Sequence, residues 1–356
     1  MRNDKTKFAN VERKVIIIST KLFSLKPIGL NTELVESLTS YISRLADAHC
    51  LSVGTLIGKV LTPLLMKEYL KNSTENGGSR LYDFACEING LGEQAYDFAN
   101  VLSLLTGIDR LWELTFISWK GIFPVRDVFR KSKVWCPLCY ETSKKNGQAI
   151  YEPLIWSFKA VNICGIHSVK LENRCPICKK EIPILSRKMR NGYCPYCGCW
   201  LGSDKINANQ INTNELLWNK YLVTNIGSLI KMGNELSGRV TDSSIYSFIK
   251  SVVENVGGVH AFSRDFDIPL STIRLWIREM NKPSLYKLLK ICYKVGINIT
   301  DIFSTEQFFI NFVPIDKSAC PVIENKCLNK KKRRKIDWRI IENELKNIAD
   351  NESGAL

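Results

Sequence analysis

Apolar positions along this 356-residue chain recur mostly at helical spacing. Leu38, Tyr41, Ile42, Leu45 and His49 fall at i, i+3, i+4, i+7 and i+11, which predicts an amphipathic helix starting near Glu36–Ser37. Leu56, Ile57, Val60, Leu61, Leu64 and Leu65 share one face of a second helix, and Tyr96 to Leu105 reads as a third, closed by Thr106–Gly107. Leu111, Trp112, Leu114 and Phe116 mark a fourth helical stretch. Ahead of these, Val15 to Ile18 reads as a short strand with a Pro27/Gly29 turn after it, and Asn72 to Ser79 is a polar loop broken by Gly77–Gly78. Helical spacing returns with Leu216, Leu217, Trp218, Tyr221 and Leu222, and again with Ile245, Phe248, Ile249 and Val252. Gly257–Gly258 then opens a compact helical block that ends near Phe303.

Between the two helical regions the periodicity lapses and cysteines take over. The expected architecture is mainly α with zinc-ribbon β-hairpin modules. It comprises an N-terminal helical domain (1–132), tandem zinc knuckles (133–205), a helical connector (206–255), a helix-turn-helix bundle (256–310) and a basic tail (311–356).

Of the nine cysteines and histidines from Cys136 to Cys199, eight fall into pairs with two residues between them. These are Cys136/Cys139 in WCPLCY, Cys164/His167 in ICGIH, Cys175/Cys178 in RCPICK and Cys194/Cys197 in YCPYCG. Such a turn aims two donors at one ion, and two turns complete a tetrahedron. Chain order pairs the first turn with the second and the third with the fourth, giving two closed zinc sites per chain. Four protein ligands leave no open position, and no HExxH or HxE precedes a CPxxC, so the expected role is structural. Cys199 can stand in for Cys197 on spacing alone, although the CPxCG pattern favours Cys197. Cys50, Cys86, Cys292, Cys320 and Cys327 stand apart.

Charge narrows the class of partner. Lysine and arginine number 50 against 35 acidic residues, a formal charge of +15, which favours a polyanion because every phosphate neutralised releases counterions. No run reaches the roughly 18 apolar residues of a membrane span, and the polar N-terminus lacks the pattern of a signal peptide, so a cytoplasmic location is expected.

Residues 258–277, GVHAFSRDFDIPLSTIRLWI, read as helix, tight turn, helix. Phe262, Phe266, Ile268, Ile273 and Trp276 would pack the pair, with Ser271 in the N-cap region of the second helix and Thr272, Arg274, Leu275 and Arg278 turned variously outward. The turn position commonly given to glycine is Asp267, which tolerates left-handed geometry better than most residues, and Ser263 stands where alanine is usual. The continuation KPSLYKLLKICYKVGINITDIF resembles the closing helices of Cro/C1-type repressor domains. Ser271, Thr272, Arg274 and Arg278 are therefore expected at double-stranded DNA. So is the run Lys330, Lys331, Lys332, Arg333, Arg334 and Lys335, read as a phosphate-contacting arm.

The helix ESLTSYISRLA (Glu36–Ala46) and the block WCPLC…CGIH…L…RCPIC…CPYCG resemble the TniQ/TnsD proteins of Tn7-like transposons. Trp135, Pro137, Trp156, Leu171 and Pro176 fit that pattern residue by residue over about 20–203. The resemblance implies a target-selection adaptor that finds an insertion site and recruits the AAA+ regulator TnsC, with Glu36, Tyr41 and Arg44 facing that partner or supporting the face that does. It leaves two routes open: direct DNA recognition, or docking on a CRISPR effector complex. A zinc-containing transcription regulator is the reading from another class. No enzyme is expected, since Gly233–Arg239, the nearest approach to a phosphate loop, lacks its lysine and its Ser/Thr.

Overall fold

Ser37 starts the first helix by accepting a hydrogen bond from the Ser40 N–H, satisfying one of the donors a helix leaves free at its N-terminus. The computed structural model describes residues 21–65, 80–205, 213–236 and 241–304. Helix α1 (Leu38–Ala48) is buried along almost its whole length, with Leu38, Tyr41, Ile42 and Leu45 inaccessible to solvent. At about 1.5–3 kcal/mol for each fully buried large apolar side chain, this one helix is a principal source of cohesion for the N-terminal half.

The second expected helix is irregular. A single α-turn (Val53–Thr55) passes into a π-helix (Leu56–Leu61) and then a 3₁₀ turn (Thr62–Leu64). Pro63 brings no N–H to continue the ladder, which is why the segment tightens there. Helix α2 (Glu93–Thr106) ends as expected on Gly107, whose left-handed conformation (φ +70°) closes the last turn. The fourth stretch is not one helix but two short 3₁₀ turns, Leu111–Leu114 and Ile117–Trp119. They seat Phe116 and Trp119 in an aromatic cluster with Phe123 and Phe158.

Helix α3 (Pro137–Lys145) opens the cysteine-rich segment. Among the described residues this segment forms no named strand. The β-hairpin modules shrink to isolated antiparallel bridges, among them Ile163 with Lys170, Arg174 with Glu181 and Tyr193 with Trp200. Loops this short leave no length of chain to pair beyond a single bridge.

The remainder is helical: α4 (Thr213–Leu236), α5 (Ser243–Asn255), α6 (Val259–Phe266), α7 (Leu270–Ile277), α8 (Leu285–Val295) and a last turn, α9 (Asp301–Ser304). Trp218, Leu222, Ile226, Leu229 and Ile230 form the buried stripe of α4. The Trp119 indole donates to the Leu229 carbonyl at 2.9 Å, and its ring meets Phe303 at 5.0 Å. Tyr221 donates to the Ile297 carbonyl at 2.8 Å, so α4 is fastened to both the N-terminal helices and the α8–α9 turn. The expected strand Val15–Ile18, the loop Asn72–Ser79 and the tail from residue 311 lie outside the described residues.

Candidate metal centres and nucleic-acid face

Three short turns in the cysteine-rich segment share one backbone pattern. In each, the N–H four residues after the first donor bonds back to that donor's carbonyl: Ser168 to Cys164 at 2.9 Å, Lys179 to Cys175 at 3.0 Å, Gly198 to Cys194 at 2.9 Å. The first donor's own N–H bonds forward to the carbonyl of the fifth residue: Val169 at 2.8 Å, Lys180 at 3.0 Å, Cys199 at 2.9 Å. The chain can reverse this tightly only through a left-handed residue, and Ser168 (φ +53°), Lys179 (φ +59°) and Gly198 (φ +71°) supply it. The result is three superposable knuckles, each presenting donors at its first and fourth positions.

Cys136 and Cys139 are presented differently. Cys136 caps the N-terminus of α3, Pro137 occupies the first helical position, and Cys139 lies in the first turn. Both sulfurs thus sit at the positive end of a helix dipole, which favours the thiolate a metal requires.

The donors assemble into two groups of four, Cys136/Cys139/Cys164/His167 and Cys175/Cys178/Cys194/Cys197, each with its ligand atoms within 4.8 Å of one another. This is the pairing the spacing predicts. A Zn–S distance of ~2.3 Å gives tetrahedral S···S edges of about 3.8 Å, and S···N edges near ~3.5 Å for an imidazole ligand. The observed S···S separations are 3.5 Å for Cys139–Cys164, 3.6 Å for Cys175–Cys197 and 3.7 Å for Cys178–Cys194. His167 Nδ1 lies 3.5, 3.3 and 3.6 Å from the sulfurs of Cys136, Cys139 and Cys164. Both groups therefore fit a single tetrahedral ion, and the first takes His167 through Nδ1. Thiols this close compete for protons: hydrogen bonds from Cys136 and Cys139 push Cys164 down to about 2, while Cys139 is pushed up by its sulfur neighbours.

The two groups are joined through α3. Trp200, just beyond the third knuckle, donates from its indole to Glu141 at 2.7 Å and lies under Lys144, with Tyr140 and Tyr193 against its ring. Trp135, just before Cys136, exchanges backbone hydrogen bonds with Glu172 at 3.0 and 2.8 Å.

Glu36, Tyr41 and Arg44 lie inside the fold. Glu36 and Tyr41 are fully buried, and the Arg44 side chain is 13% exposed. Arg44 grips Glu36 with Nε and Nη2, both at 2.7 Å, and also reaches the Lys26 carbonyl at 3.0 Å. Burial pushes the Glu36 carboxyl up, while Arg44 and Ser40 pull it back toward the charged form. Tyr41 donates to the Leu25 carbonyl at 2.8 Å. In this structure the three side chains build the domain from within and offer no open contact surface.

Sequence reasoning missed the hub beside them. Ser40 donates to Glu36 at 2.9 Å and accepts from the Glu152 N–H at 3.0 Å and Asn191 Nδ2 at 2.8 Å. The Glu152 carboxylate pairs with buried Lys133 and accepts from Tyr140 of α3 at 3.3 Å. One buried polar network thereby links α1, α3 and the loop between the second and third knuckles. A signal was present: Glu36, Ser40 and Arg44 recur every four residues, from just before α1 into it.

Helices α6 and α7 follow one another through a three-residue turn, Asp267 to Pro269. Phe262 and Phe266 stack at 4.4 Å, and Ile268, Ile273 and Trp276 are buried. Asp267 takes the left-handed conformation (φ +53°), and the Ser263 hydroxyl clamps the turn by donating to the Ile268 carbonyl at 2.7 Å. The expectation for Ser271 as the cap is corrected: Pro269 holds the N-cap position with no side-chain cap, because its fixed φ sets the entry, and Ser271 is the second helical residue. Ser271, Arg274, Leu275 and Arg278 are exposed at i, i+3, i+4 and i+7, a single stripe, with Thr272 half-buried beside it. The basic run Lys330–Lys335 lies outside the described residues. No helix among those described is long and apolar enough to cross a membrane.

No curated protein matches the chain. Among protein-family models, TniQ matches residues 27–171, a span running from the turn before α1 through the first metal group to Leu171. TniQ proteins are non-catalytic adaptors in target selection for Tn7-like transposition. Residues 27–171 of this chain are therefore similar to the TniQ family.

Proposed function

We propose that the chain selects the insertion site of a Tn7-like transposon by binding double-stranded DNA itself and recruiting the AAA+ regulator TnsC. Two structural zinc ions per chain hold the segment between these tasks. Zinc suits the donor sets, three thiolates with one imidazole and four thiolates, and closed tetrahedral sites supply folding energy that a loop-rich segment gets from no core of its own. Chemistry at the metal has no opening, since all four positions are filled by protein.

The observation that carries DNA binding is the outward stripe of α7. Arg274 within the helix and Arg278 at its C-cap stand four residues apart, both exposed, while Ile273 and Trp276 are packed away. At that spacing one guanidinium can fork onto a guanine edge while the other meets phosphate. The basic run Lys330–Lys335 would add phosphate contacts that hold without selecting sequence. The TniQ domain is assigned to the regulator, with Glu36, Tyr41 and Arg44 supporting its outer face from beneath. Deleting α1 would test folding rather than docking, so recruitment is tested with the full chain: it should retain the regulator in a pull-down, and failure to do so contradicts the assignment.

Docking on a CRISPR effector is the second reading. It is favoured by apolar exposure beside the arginines, where Leu275 is 37% and Met280 70% accessible. Gel shifts decide between them. Target DNA should be preferred over a scrambled duplex, and loss of that preference in Arg274→Ala supports direct reading. Binding to the effector complex with no DNA preference supports the other.

A further inference from the structure

The second metal group contains more sulfur than one ion can use. The fifth residue after a knuckle's first donor is Val169 in the first and Lys180 in the second, neither a metal donor here, whereas in the third it is Cys199. The Cys199 Sγ lies 3.2 Å from the Cys175 Sγ, closer than the 3.6 Å between Cys175 and Cys197. Its thiol also interacts with that of Cys197. Cys197 is exposed, whereas Cys199 is half-buried among the same ligands. Between the two stands Gly198, in left-handed conformation and with no atom within 4 Å of where a Cβ would sit, so the peptide joining both thiols has room to turn.

We propose that Cys199 is an alternate fourth ligand of the second zinc site. The ion is held permanently by Cys175, Cys178 and Cys194, and its fourth bond alternates between Cys197 and Cys199. In the exchange one Zn–S bond forms as another breaks. The arriving thiol gives up its proton and the departing thiolate takes one, so charge and metal content are unchanged. The first site has no such reserve, because Val169 occupies the equivalent position.

The proposal rests on the zinc assignment, and the test separates the two. Zinc is measured in the purified full-length chain for the wild type, C197S, C199S and the double variant C197S/C199S. The wild type and both single variants should hold two ions per chain and the double variant one. A wild type with fewer than two removes the zinc assignment and this proposal together. Two in the wild type but one in C197S, or one in C199S, overturns the alternation alone, as does a double variant that keeps two.

A measurement on the wild type keeps the question open to refutation even where a variant fails to fold. Brief alkylation of the zinc-loaded protein with iodoacetamide, followed by peptide mass spectrometry, should modify one site thiol per molecule, shared between Cys197 and Cys199. Labelling confined to either one contradicts the proposal.

Discussion

The two metal groups have the same number of donors and the same burial at three of them, and differ at the fourth. The first joins a helix N-terminus to a knuckle within the TniQ span, and its Cys136 and Cys164 are buried in the core. The second joins two knuckles beyond that span and buries Cys175 and Cys194 equally, but leaves Cys197 exposed and keeps a fifth thiol alongside. In the first, an ion would sit where α3, Trp135 and the 164–167 turn converge, with no further thiol at the fifth residue after Cys164 to replace a ligand. In the second, an ion would close two knuckle loops whose last donor, Cys197, lies at the surface with Cys199 beside it. Ligand count alone does not distinguish a site whose donors are all covered from one that leaves a donor exposed.

The largest expected effect is on the first group. Cys136→Ser should remove more free energy than the domain has to spare, since structural zinc contributes about 10 kcal/mol or more against a total stability of about 5–15 kcal/mol. Loss of the cooperative transition in thermal circular dichroism checks this. Cys197→Ser in the second group should leave that transition nearly intact, and equal damage from both would erase the contrast.

Next comes the ion pair under the first group. Arg44→Met leaves the Glu36 carboxylate buried without its partner, which should cost about 3–5 kcal/mol in denaturant unfolding. Because burial raises the Glu36 pKa above its ordinary 4.5, the folded state holds the proton more tightly. The penalty should therefore be greatest at neutral pH and shrink as pH falls toward that value. Glu36→Gln added to Arg44→Met should recover part of it.

A smaller effect tests whether the rim depends on the interior. Ser40→Ala strips the Glu152 N–H and Asn191 of their shared acceptor, and should cost about 1–3 kcal/mol. Amide exchange should quicken in the loop around Asn191. Unchanged protection there would mean that the second group stands without the network.

Much of this was legible in the sequence, and the exceptions share a cause. The donor pairing, α1, the Gly107 stop and the left-handed Asp267 all follow from local spacing and backbone preference, which a sequence displays directly. The π-helical turn at Leu56–Leu61, the reduction of the ribbons to single bridges and the burial of Arg44 depend on what packs from elsewhere in the chain. Arg44 looks like a surface cation by type. Its partner Glu36, eight residues earlier and just ahead of α1, offsets the cost of that interior position. The Cys199 contact escaped for a related reason: spacing offers it as a rival to Cys197, whereas the fold brings both within reach of Cys175.

The central claim is that the outward stripe of α7 reads DNA. The most direct measurement is fluorescence anisotropy of the full-length wild type and Arg274→Ala on the element's insertion-site duplex and a scrambled duplex, at several salt concentrations. The account predicts a preference of the wild type for the insertion site and a loss of about 1–3 kcal/mol on it in Arg274→Ala. Affinity should fall linearly with salt on logarithmic axes, with a shallower slope once Lys330–Lys335 are neutralised. Equal affinity of the wild type for both duplexes, unchanged by either substitution, would contradict it.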